Sequence, residues 1–246
     1  MPQTCLCSAV GGVKMGWIYP SYYTDGTEIP ERLPNGLGNP DFGRAIMCAC
    51  QVAEHEKRYG HFLRQEANLP VGEWVFSDYR TAFSGEPKAI LDARIYARDT
   101  VKAWCSGRTE NAWLFLHGPA GTGKTYLAAT AVNALLGAKI QARYEYVPDL
   151  IDRLRAGQAD NSYGEEIARL KGVQVLVLDD LNATRSTEWA EGEVLKLIDW
   201  RYRERGPLLV TTNVQLEDIE PRTLDRLCDR FLSKTIPMIW ASYRRG

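Results

Sequence analysis

Residues 117–125 read His117-Gly118-Pro119-Ala120-Gly121-Thr122-Gly123-Lys124-Thr125. The stretch fits G-x-x-x-x-G-K-[ST] in full, with the apolar run 112–116 before it and the helical run 126–136 after it. Strand, glycine-rich loop and helix form the setting in which this pattern binds a nucleoside triphosphate. Glycines let the backbone turn tightly so that its N–H groups point at phosphate oxygens, and the helix N-terminus adds its partial positive charge. Gly118, Pro119, Ala120, Gly121, Thr122, Gly123, Lys124, Thr125 and Tyr126 are therefore the candidate ATP contacts. Lys124 is expected to reach the β- and γ-phosphates, and the Thr125 hydroxyl to ligate Mg²⁺. The competing reading, a glycine turn that happens to end in Lys-Thr, leaves the flanking strand and helix without a reason.

Outward from the loop the chain alternates. Strands are expected at 112–116, 138–146, 173–178 and 207–212, with a terminal strand at 235–240. Helices are expected at 89–106, 124–136, 147–155, 163–170, 188–205 and 222–232, with a loop at 156–162. Strands alternating with helices imply a parallel α/β sheet. The run 173–178 is continuously apolar and rich in valine, which suits a central strand buried on both faces.

That strand continues as Val175-Leu176-Val177-Leu178-Asp179-Asp180. Two acids at the carboxyl end of such a strand stand where ligands of open α/β sheets bind. Asp179 is expected to hold Mg²⁺, mostly through water, and Asp180 to polarise an attacking water as general base. Alone the pair reads equally as a helix cap; about fifty residues after a phosphate loop it reads as chemistry. Pro207-Leu208-Leu209-Val210-Thr211-Thr212-Asn213 ends a further apolar strand. Asn213 is the candidate to hydrogen-bond the water or the γ-phosphate, against its bland reading as a turn residue.

Composition bounds the rest. The chain has 246 residues, 45% of them hydrophobic and 25% charged, as in an ordinary soluble globular protein. No apolar run approaches membrane-spanning length, and the N-terminus lacks the order of a signal peptide, so a cytoplasmic protein without a membrane partner is expected. A net charge of −1 gives no global attraction to nucleic acid.

Residues 1–69 differ in texture. Pro20, Pro30, Pro34-Asn35-Gly36 and Gly38-Asn39-Pro40 break the segment into turns, leaving one expected helix at 49–66. Four of the six cysteines form two short pairs, Cys5-x-Cys7 and Cys48-x-Cys50. Four thiolates can close a tetrahedral Zn²⁺ site, and so short and turn-rich a segment needs a staple. His55 is spaced to replace one ligand, and four ordinary buried thiols are the alternative. The expected organisation is a small zinc-stapled module at 1–69, a linker at 70–88 and a nucleotide-binding domain at 89–246.

In order and spacing, GPAGTGKT, VLVLDD, TTN and RLCDRF resemble an AAA+ ATPase of the DnaC/DnaI/IstB-type branch, over about residues 85–246. The resemblance implies a P-loop fold with a parallel five-stranded sheet. It also implies Walker A at Lys124 and Thr125, Walker B at Asp179 and Asp180, and a sensor at Asn213. Arg230, in Asp229-Arg230-Phe231, matches the arginine finger that completes a neighbouring subunit's site, so self-association through the ATPase domain is implied. Arg226 is a second candidate. Arg244, in the terminal Ala241-Ser242-Tyr243-Arg244, matches a nucleotide-sensing position. Many AAA+ proteins carry Glu where this chain has the shorter Asp180, which bears on turnover.

What the branch implies for function is an ATP-driven replication factor that loads a DnaB-type replicative helicase onto single-stranded DNA, gripping it through the N-terminal zinc module. Tyr144, Tyr146, Arg153, Arg155 and Lys171 are candidate contacts to single-stranded DNA, against a bland reading as core aromatics and a solvated face. An IstB-type transposition helper is the alternative, and a nucleotide-gated adaptor with little hydrolysis is a third.

Overall fold

The computed structural model describes residues 17–18, 46–47, 49–72, 74–77, 88–108, 113–181 and 187–239. The chain divides into two units, Met1–Phe62 and Leu63–Gly246. In the first, two short strands, β1 (Trp17–Ile18) and β2 (Ile46–Met47), pair antiparallel. Helix α1 (Ala49–Glu66) follows, and its last turn, from Leu63, belongs to the second unit.

The second unit is built on five parallel strands: β3 (Trp113–His117), β4 (Ala142–Tyr146), β5 (Val175–Leu181), β6 (Leu208–Thr212) and β7 (Ser233–Pro237). Their spatial order is β4-β5-β6-β3-β7. The strand that feeds the glycine loop therefore lies between β6 and β7, and the strand bearing the two acids lies between β4 and β6. All five residues of β6 are buried, and so are all those of β5 save Asp180. These runs are apolar on both sides because helices cover both faces.

On one face α2 (Lys88–Cys105) and α3 (Lys124–Gly137) pack through Ala97, Val101, Trp104, Leu127 and Leu135. On the other, α4 (Val147–Asp160), α5 (Tyr163–Gly172), α6 (Glu188–Glu204) and α7 (Pro221–Leu227) pack through Leu150, Leu154, Leu170, Leu197 and Leu227. The expected P-loop architecture with a parallel five-stranded sheet is observed. Among the described residues no helix is long and apolar enough to cross a membrane.

Three element boundaries differ from the sequence expectation by four residues or more, each for a local reason. The loop expected at 156–162 is mostly helix, since α4 runs on to Asp160 and turns at Asn161 with φ 64°. Gly157 is buried there because a Cβ would lie 2.9 Å from the backbone nitrogen of Tyr163, where α5 begins. Strand β4 starts at Ala142 rather than 138, because residues 138–141 complete the exit from α3. Lys139 takes the left-handed turn (φ 62°) and Ile140 N–H returns to Leu135 C=O. Helix α7 ends at Leu227, not 232. The Asp229 carboxylate accepts the Phe231 N–H at 2.9 Å, closing a turn that leads into β7.

A candidate nucleotide site at the carboxyl edge of the sheet

β3 ends at His117, and the loop to α3 bends through left-handed glycines at 118, 121 and 123. Gly118 faces a close obstacle: a Cβ there would lie 2.6 Å from the carbonyl oxygen of Met238, whose own N–H donates to His117 C=O at 2.7 Å. The chain leaving β7 thus lies directly against the loop. Pro119 and Ala120 are exposed on the outer turn, while Thr122 is buried and donates to Pro119 C=O at 3.1 Å.

Lys124 opens α3 and is only 4% exposed. Its ammonium donates to Gly118 C=O at 2.6 Å and Pro119 C=O at 2.7 Å. Burial pushes its pKa down to about 8, against the opposing pull of Asp180 and Asp179. The Thr122 hydroxyl accepts from it as well, at 3.4 Å, so its hydrogen-bond partners are neutral dipoles, and phosphate oxygens would be stronger, charge-assisted acceptors. Thr125 is exposed beside it. Tyr126, one residue on, bonds Val75 C=O at 3.2 Å and meets Trp74 edge-on at 5.3 Å, so the segment before α2 packs on the loop's helix.

The two acids differ sharply. Asp179 is 1% exposed, and each carboxylate oxygen accepts a hydroxyl: Thr211 Oγ1 to Oδ1 and Tyr144 Oη to Oδ2, both at 2.6 Å. Asp180 sits at φ 62°, where the register between β5 and β6 slips between Leu178 and Leu181. Such a bulge re-aims a side chain; without it Asp180 would follow the pleat. Thr211 holds the bulge as well, because its oxygen accepts the Asp180 N–H at 3.0 Å. Burial, then Asp179, raises the Asp180 pKa, while Asn213, Lys124 and Tyr146 pull it down. Asn213 Nδ2 donates to Asp180 Oδ1.

Lys124, Asp179, Asp180 and Asn213 are therefore brought to one edge. The oxygen donors Thr125, Asp179 and Asp180 suit a hard cation such as Mg²⁺. Sequence reasoning missed Thr211, which serves both acids, and it assigned Tyr144 differently. Thr211 stands two residues before Asn213 in an unbroken buried run, and a hydroxyl in such a run must find a partner.

Arg230 is exposed, with its guanidinium over the Phe231 ring at 4.7 Å. It precedes β7, whose start at Ser233 pairs with Trp113 while its end at Pro237 pairs with His117. The length of the strand, roughly 13 Å, separates Arg230 from its own phosphate loop. Arg226 is engaged internally by Asp199 and Asp225, both at 3.2 Å, and by the Tyr202 ring.

Among the candidate DNA contacts, Tyr144 is buried against Asp179 and Arg153 pairs with Glu145. Buried in this way, Tyr144 has no exposed ring face on which a base could stack. Tyr146 is 37% exposed, Arg155 lies over Trp189 and Lys171 over Trp200. Arg244, Cys5, Cys7 and Cys48 lie outside the described residues, as does the side chain of Cys50. Among the described residues no group of His, Cys, Asp and Glu is clustered to hold a metal.

The family model for IstB-like ATP binding proteins matches residues 45–235. A protein of insertion sequence IS1162 from Pseudomonas fluorescens, named for ATP binding, is 32% identical over 121 residues, which is 49% of this chain and 51% of that one. The replicative helicase loader DnaI of Bacillus subtilis is 28% identical over 108 residues, 44% of this chain and 35% of the other. The solved structure of DnaI superposes with a TM-score of 0.54 at 23% identity, covering 73% of this chain and 92% of that one. The matches to the two relatives span about half of their length or less.

Proposed function

Since the chain belongs to the IstB-like ATP binding proteins and has the fold of an AAA+ P-loop ATPase, we propose that it hydrolyses ATP as the switch in loading a replicative hexameric helicase onto single-stranded DNA. The observation that carries hydrolysis is the Asp180–Asn213 pair, held on a bulge beside Lys124. In this reading the loop N–H groups and Lys124 bind the β- and γ-phosphates. Thr125 and Asp179 hold the Mg²⁺ that enters with the nucleotide and offsets phosphate charge. Asp180 orients a water in line with the γ-phosphorus and receives its proton, and Asn213 fixes Asp180 and that water. Arg230 acts on the site of a neighbouring copy, where a cation is needed only as charge develops in the transition state.

Phosphate release tests the assignment. Lys124→Ala should abolish nucleotide binding, whereas Asp180→Asn should retain binding and lose turnover by at least a hundredfold. Equal turnover in Asp180→Asn and the native protein would refute the role of Asp180.

The helicase is proposed from the likeness to DnaI and from the two cysteine pairs, read as a zinc module within 1–69 that grips the partner. Zinc quantification on the purified chain, at one ion per chain, tests the module. The insertion-sequence relative favours a second reading, a helper ATPase for a transposase. Single-stranded circles, the host's replicative helicase and this chain with ATP separate the two. Unwinding that requires the chain supports loading; stimulated strand transfer by a transposase, without unwinding, supports the alternative.

A further inference from the structure

β4 is the edge strand of the sheet, so alternate main-chain groups on its outer side have no strand to pair with. The residues that follow α1 cover them. Tyr144 N–H donates to Ala67 C=O at 2.8 Å. On either side of it, Arg143 Nη1 donates to Glu66 C=O at 3.2 Å, and Asn68 Nδ2 donates to Glu145 Oε2 at 3.1 Å. Three consecutive residues of the strand therefore seat three consecutive residues of a strap, and Asn68 turns the strap with φ 51°.

The Tyr144 side chain points the other way, into the core on the α3 side, and its hydroxyl ends on Asp179 Oδ2. Among the described residues the hydrogen-bond donors to Asp179 are the hydroxyls of Tyr144 and Thr211. A buried carboxylate that must accept metal-bound water needs a fixed orientation, and two hydroxyls on opposite oxygens provide it. Each oxygen keeps a second lone pair for that water.

We propose that Tyr144 is a positioning residue for the magnesium–nucleotide complex: it orients Asp179, and it is itself held in place by the strap Glu66-Ala67-Asn68. The inference rests on the reading of Asp179 as the carboxylate that holds Mg²⁺. Its consequence is that removing one hydroxyl, with the ring retained, weakens the metal's contribution to binding and leaves the metal-free contribution alone.

The test titrates a fluorescent ATP analogue against the full chain, first in EDTA and then across a Mg²⁺ series. Asp179→Asn is the control for the underlying reading and should erase the Mg²⁺ dependence; if it does not, the assignment of Asp179 fails, whatever Tyr144 does. Tyr144→Phe should raise the Mg²⁺ concentration for half-maximal binding about tenfold, the scale of one hydrogen bond to a charged group, with the EDTA affinity kept. Asn68→Gly keeps the left-handed turn while deleting the bond to Glu145, and should raise the same midpoint several-fold without touching the ring. A Tyr144→Phe midpoint within twofold of native, with Asp179→Asn behaving as expected, overturns the proposal. An unmoved midpoint in Asn68→Gly overturns the part given to the strap.

Discussion

In the proposed function nucleotide binding turns on Lys124, whose charge is conditional. Without phosphate its ammonium is buried against two carbonyls, with its pKa near 8. The group is cationic at neutral pH and loses its proton as pH rises through that value, whereas bound phosphates favour the charged form. Affinity for ATP should therefore fall with rising pH, by about tenfold between pH 7 and 9 for one linked proton. A fluorescent-analogue titration across that range checks this, and a flat profile would remove Lys124 as the titrating group. Asp180 carries the opposite sign. Burial and Asp179 hold its carboxyl above the ordinary range, so its ionisation opposes folding at pH values above that raised value. Asp180→Asn should melt higher at pH 7.5, by about 2–4 °C if ~1 kcal/mol is recovered, with the gap closing as the medium is acidified. Lys124, Asp179, Asp180 and Asn213 were all legible in sequence because their motifs are short and local. Thr211 and Tyr144 were not: their roles come from strands that neighbour β5 in space, with no signature in the chain itself.

At the scale of elements, the strands and helices of the sheet were readable from apolar runs and glycine stops, and the misread end of α4 shows what such patterns leave out. Gly157 resembled a loop residue, yet it lies inside α4 because the start of α5 passes within 2.9 Å of where a Cβ would be. The glycine serves close packing between helices, a property of the folded pair that no single-helix pattern encodes. Gly157→Ala should favour the isolated helix and still destabilise the protein, by about 1–3 kcal/mol of overpacking. A lowered urea midpoint with unchanged slope is the expected result, and a raised midpoint would mean that α5 yields readily. The bulge at Asp180 was likewise invisible, since the sequence offers no glycine there to announce a left-handed backbone.

At the scale of the whole molecule, Arg230 and the phosphate loop lie at opposite ends of β7, a separation set by the pairing of β7 with β3 rather than by position along the chain. If Arg230 completes a neighbour's site, two inactive variants should complement each other. Arg230→Ala retains an intact loop and Lys124→Ala retains an intact Arg230, so an equal mixture should form about a quarter of its head-to-tail interfaces intact. Turnover by the mixture above that of either variant is the expected outcome; none would assign Arg230 to its own surface. The contact between Gly118 and Met238 bears on inheritance as well as on geometry. What crowds the missing Cβ is a main-chain carbonyl, and every amino acid brings the same carbonyl to position 238. A lineage that lost Gly118 would therefore find no compensating side-chain replacement at position 238.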